Sequence, residues 1–288
     1  MHKVLEPKQF EALSLAIEKF ISTVRSGFRD VIEGVDVGYW KRIDEDGIAM
    51  VAEHFNLARL EALESSFDEE VDSYFSWVTG QPSFQVATRS LGFTPGDHLS
   101  GYKRVIQRQV SQAKWMPHLL EAEAVRVASL YLAYVGGIAK ACEGFTTGKR
   151  KKAALEGPKA IKKMLALMEE IDQVRENTDF LEGSIGIGGR HWERVKSNLQ
   201  GTLEHLFSTT KRDDRDLSAR LMASEVIRLH MKLFSKPFKS AVFHIMGLPV
   251  LERSLEMKTI ERLISLEDAR TKGIKSAGFS VLMREVIC

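Results

Sequence analysis

Val127–Ala139 reads VASLYLAYVGGIA, an uncharged run held between Arg126 and Lys140. Crossing a bilayer as a helix takes about 20 consecutive apolar residues, so this run is expected to be too short to span one. It reads instead as a helix buried in a core. The rest of the chain must then supply the helices that cover it.

Upstream, Phe10, Leu13, Ile17, Phe20, Val24, Phe28 and Val31 recur every three or four positions and mark one face of a first helix that stops near Gly34. Further helices are expected over 48–65, 68–79, 82–91, 96–116, 118–143, 155–182, 190–208, 215–236 and 250–272. The one β candidate is a short element near 35–43, where Val35, Val37 and Tyr39 alternate with polar residues or glycine before the turn composition Asp44-Glu45-Asp46-Gly47. In Thr94-Pro95-Gly96-Asp97, Thr94 is the expected N-cap, with the proline opening the helix. The fold class is therefore all-α, a bundle of about ten helices. Two divisions of the chain fit: helical domains at 1–143 and 158–288 joined by a basic linker or loop at 144–157, or a single domain. The apolar tail Ser276–Cys288 is expected to dock on the body or on another chain.

With 288 residues and 44% hydrophobic content the chain can build a substantial core. Its net charge of +2 gives no global argument for an acidic partner. Cys142 and Cys288 are the two cysteines, too few for a disulfide framework or a cysteine-built zinc site. A cytoplasmic setting is expected, because Glu11, Glu18, Lys19 and Arg25 interrupt any signal-peptide pattern and no membrane partner is called for.

The common nucleotide-binding and metal-binding motifs are not intact in this sequence. Gly144 to Gly148 has three intervening residues where a phosphate-binding Walker loop needs four, and Arg150 stands where its hydroxyl should be. The glycines of 183–189 lack the dinucleotide-binding spacing. The histidines show no HExxH or Glu-x-x-His pattern, so His54, His205, His230 and His244 read as packed or surface side chains. No cofactor is expected. The remaining enzymatic candidate is the carboxylate stripe Glu169, Asp172, Glu176, Asp179 and Glu182, which could hold Mg²⁺ for hydrolysis if a second acidic helix faced it. An ordinary solvated face is the competing reading.

Local charge is more informative. Lys149, Arg150, Lys151, Lys152, Lys159, Lys162 and Lys163 crowd one segment against the single acid Glu156. If a helix starts near Pro158, its lysines oppose the positive end of the helix dipole, and the acids at its far end oppose the negative one. An external anion would reward that placement. The acidic segment Glu61, Glu64, Asp68, Glu69, Glu70 and Asp72 could instead mask the lysines.

The second basic surface is the helix after Asp97. Lys103, Arg104, Gln107, Arg108, Gln112 and Lys114 oppose its apolar arc. The preceding Leu91-Gly92-Phe93-Thr94 resembles the Leu-Gly-apolar-Ser/Thr turn of helix-turn-helix proteins. That resemblance spans 83–115 and implies a positioning helix at 82–91 and a groove-reading helix at 97–115. Ser100, Lys103, Arg104, Gln107 and Arg108 would then contact bases or phosphates. Tyr102 and Trp115 could stack on unpaired bases.

The leading expectation is thus a non-enzymatic protein that binds DNA or RNA phosphates. The alternatives are an assembly subunit that binds other proteins through faces such as Met164, Leu165, Met168 and Ile171, and the Mg²⁺-dependent hydrolase.

Overall fold

The computed structural model describes residues 4–40, 42–93, 97–112, 116–177, 190–206 and 214–276. Among the described residues there are twelve helices and no strand. They are α1 (Pro7–Glu33), α2 (Val37–Trp40), α3 (Glu45–Ser66), α4 (Glu69–Gly80), α5 (Pro82–Ser90), α6 (His98–Val110), α7 (Pro117–Thr146), α8 (Lys149–Glu176), α9 (Arg190–Leu206), α10 (Leu217–Phe234), α11 (Lys239–Ile245) and α12 (Met257–Ser276).

The opening stretch is the middle of α7, the axis of the molecule. This helix is longer than the apolar run within it. By length and composition alone it could cross a membrane, and 61% of its most apolar window is buried inside the protein. Two adjacent glycines let neighbours close on it from different sides. A methyl added at Gly136 would lie 3.1 Å from Ile17 Cγ2 of α1, and one at Gly137 would lie 2.5 Å from both Leu229 methyls of α10. On the α1 side, Phe10, Leu13, Ile17, Phe20, Val24 and Phe28 are buried as their spacing predicts, and Val31 is half-buried. α6 packs between α3 and α7, and α5 packs on α11 and α4.

Short polar signals set the helix ends. At α1, Pro7 opens the helix and the Glu6 amide donates to Gln9 Oε1 at 2.8 Å, half of a capping box. The expected strand near 35–43 is replaced by helix: Asp36 accepts from the Gly38 amide at 2.6 Å and starts α2, and Asp44 accepts from the Gly47 amide at 2.9 Å and starts α3. One Asp-x and one Asp-x-x hydrogen bond therefore override the alternation, and the adjoining Trp40 is buried in the core, 1% exposed. The cap of α6 is Asp97, which accepts from the Ser100 amide at 3.2 Å; the expected cap, Thr94, lies outside the described residues.

The buried side chains of α1–α7 and α10–α12 form one contiguous cluster. α8 stands beside it. Its buried residues, Ala154 and Met168, do not belong to that cluster, and it touches the body through α7, α9 and α10. The helix begins at Lys149 and runs through Pro158, so the segment 149–157 is helical where a loop was expected. Pro158 forfeits one backbone hydrogen bond in passing.

Candidate interaction surfaces

Between α5 and α6, the Leu-Gly-apolar turn ends the first of the two helices. Gly92 takes a left-handed φ of 72°, its amide donates to Arg89 O at 3.0 Å, and the Phe93 amide donates to Thr88 O at 3.1 Å. These two bonds are a Schellman helix stop. They aim Phe93 into an aromatic group, 5.3 Å from Tyr131 and 5.5 Å from Tyr134 between ring centroids. α5 and α6 then take different packing partners, α11 and α4 for one and α3 and α7 for the other. Gly101 permits the close approach of α6 to α7, since a methyl there would lie 2.7 Å from Val127 Cγ1.

The side chains expected on this surface divide. Lys103, Arg104, Gln107 and Arg108 are exposed. Arg108 is 3.3 Å from Glu123 of α7, and Arg104 Nε donates to Ser100 O at 3.3 Å. Ser100 is half-buried and its hydroxyl donates to Asp97 O at 3.3 Å, so it serves the start of the helix. Tyr102 is fully buried against Phe28 and Phe55 and is not open to a base. Lys114 and Trp115 lie outside the described residues.

The second basic surface is paired with acids at its start, although Lys149, Arg150 and Lys152 remain exposed. Lys149 Nζ donates to Glu143 of α7 at 2.7 Å, which raises the lysine pKa, and Arg150 Nε is 2.5 Å from Glu225 of α10. Burial pushes the Glu225 carboxyl up from its ordinary value, and Arg150 opposes that push. Lys152 sits 4.0 Å from Glu156, and Lys151 is half-buried with a partner of its own. Acids from α7 and α10 thus answer the charge at the helix start, where the segment 61–72 was the competing candidate. In that segment Asp68 caps α4 by accepting from the Val71 amide, and Glu70 accepts from the Tyr74 hydroxyl. Lys159, Lys162 and Lys163 stand exposed further along α8, without an ion pair among the described residues.

The two basic surfaces are not joined. Gly101 meets α7 at Val127 and Lys149 meets it at Glu143, about 24 Å apart along the helix axis.

The carboxylate stripe is also dispersed. Asp172 accepts from Trp192 Nε1 at 3.0 Å and pairs with Lys196, both on α9. Glu169 is exposed. The side chains of Glu176 and His205 lie outside the described residues, as do Asp179, Glu182, the glycines of 183–189, and Cys288 with the tail 277–288. Among the described residues no group of three metal-ligating side chains comes together. Of the other histidines, His54 is exposed, His244 half-buried and His230 wholly buried.

A surface read from the sequence only in part is the outer face of α8. Leu165 and Met168 turn toward the body, half-buried and buried. Met164, Leu167, Ile171 and Val174 turn away from it, 50, 47, 39 and 57% exposed. The helix therefore carries two apolar stripes, and the outer one is exposed. The signal was present as a second spacing of three and four within the same helix.

The chain matches no protein-family model, no curated protein and no solved structure.

Proposed function

We propose that this protein is an assembly subunit, in which α8 is a helical arm whose outer face receives another α-helix. The observation that carries this reading is the run of four large apolar side chains at 164, 167, 171 and 174 on a helix held beside the core. Scattered surface leucines are ordinary, but a contiguous apolar row rimmed by charge marks an interaction site. The spacing of three, four and three is that of a helix-packing seam.

A photo-crosslinking amino acid in place of Leu167 tests the reading in cells. A discrete adduct that disappears when Ile171→Glu is added supports it, with exposed Leu57 of α3 as the control position. Failure to form an adduct specific to Leu167 would refute it.

A second reading is favoured by Lys159, Lys162 and Lys163, three exposed cations on the same helix. These would hold nucleic-acid phosphates, with Lys103 and Arg104 as a separate patch. A gel shift that weakens with salt, and that Lys159→Glu, Lys162→Glu and Lys163→Glu together abolish, is the expected result. No shift with mixed DNA and RNA at low salt would remove it.

A further inference from the structure

We infer that the helix received by this face is α8 of a second copy of the chain, packed antiparallel about a two-fold axis. This rests on the reading of α8 as an interaction arm and names its partner. Three properties of the face carry it.

The first is the length of the repeat. Ala153, Gly157, Ala160, Met164, Leu167, Ile171 and Val174 keep alternate spacings of four and three without a break. All are exposed or, for Gly157, half-buried. That is the a and d pattern of a two-helix seam, about 32 Å long.

The second is its taper. The seam is narrow at its start, with alanine, glycine and alanine, and wide at its end, with leucine, isoleucine and valine. A parallel partner would set bulk on bulk at one end and leave a gap at the other. An antiparallel partner sets Val174 over Gly157, Ile171 over Ala160 and Leu167 over Met164, and then repeats the same contacts by symmetry. Close packing favours that complementarity, and a two-fold interface requires a patch to fit itself.

The third is charge. Beside the seam the helix is basic at Lys159, Lys162 and Lys163 and acidic at Glu169 and Glu170. These five side chains are exposed and carry no ion pair among the described residues. Lys163 and Glu170 each precede an a position, and in an antiparallel pair such residues face each other across the interface. Lys163 of each copy thus meets Glu170 of the other. The arrangement also answers why lysines precede acids on this helix, against its own dipole.

Sedimentation of the full chain over a roughly hundredfold concentration range should show a monomer–dimer equilibrium. Ile171→Glu should remove the dimer while leaving helicity by circular dichroism unchanged. Lys163→Glu or Glu170→Lys alone should weaken it about tenfold, through two symmetric pairs. The double exchange Lys163→Glu with Glu170→Lys should recover to within about threefold of the original. A monomer at every concentration overturns the inference, and so does a dimer indifferent to Ile171→Glu or a double exchange no better than the single changes. The Leu167 crosslink separates the two levels. An adduct to a different protein overturns the self-pairing and leaves the arm standing, whereas an adduct to this chain's own residues 277–288 overturns both.

Discussion

His230 shows how far one buried side chain ties stability to pH. Its ring is wholly buried among Tyr134, Phe234 and Phe238, its Nδ1 accepts from the Phe238 amide at 3.4 Å, and its Nε2 lies 3.2 Å from the Tyr134 hydroxyl. A ring that accepts at Nδ1 is neutral and carries its proton on Nε2. Burial pushes its pKa from 6.5 to about 4. Between those values the unfolded chain binds the extra proton and the folded one does not, so stability falls as pH drops through this window. The loss attributable to this ring is about 3 kcal/mol by the bottom of it. Urea midpoints at neutral and mildly acidic pH check this: His230→Phe should flatten the pH dependence relative to the parent chain. An unchanged slope would place the acid sensitivity elsewhere. That His230 is a packed or surface histidine and not a ligand was readable from the sequence, since no partner stood at ligand spacing; its burial and the rings that enclose it were not.

At the scale of elements, α10 and α12 are clamped by charge rather than by oil alone. Glu267, 1% exposed, lies 3.0 Å from Arg270 and 3.2 Å from Arg228. Burial lowers the Arg270 pKa to about 10, and the neighbouring Arg228 adds to that. Removing the shared carboxylate leaves two guanidinium groups facing each other, so Glu267→Ala should cost about 3–5 kcal/mol in urea unfolding. Adding Arg270→Met should return part of that loss, because an apolar side chain needs no partner.

Other elements show what a linear reading can and cannot reach. α1 was legible because seven apolar residues repeat at helical spacing. The segment 35–43 was not, because Asp36 and Asp44 act through hydrogen bonds that outweigh a weak alternation. The seven-residue α11 lies in a stretch, 239–245, too short for periodicity to register. α8 begins at Lys149, six residues before the expected 155: Pro158 suits a first turn yet here stands inside the helix. Its two stripes were readable as spacings, but which one the body covers depends on α9 and α10, and nothing local to α8 says so.

For the whole molecule, the all-α class followed from pattern alone, while the candidate surfaces depended on which charges meet. Lys149 and Arg150 were legible as cations, but their partners Glu143 and Glu225, six and seventy-five positions away in the chain, were not. The outer face of α8 is distinguished instead by large apolar side chains that remain exposed. Burying the exposed halves of its four large apolar side chains on each of two copies would contribute on the order of 8 kcal/mol. Association itself costs about 4–15 kcal/mol, so pairing should be reversible and set by protein concentration.

The packing of α1 on α7 also bears on how the chain is made. The first of these helices leaves the ribosome with Phe10, Phe20 and Phe28 on its surface, and its main cover is encoded roughly a hundred residues later. At ~5–20 residues per second that wait is on the order of ten seconds. Until then α3 is the first helix to emerge that can shelter those rings, which makes the nascent N-terminal half a natural client for a chaperone.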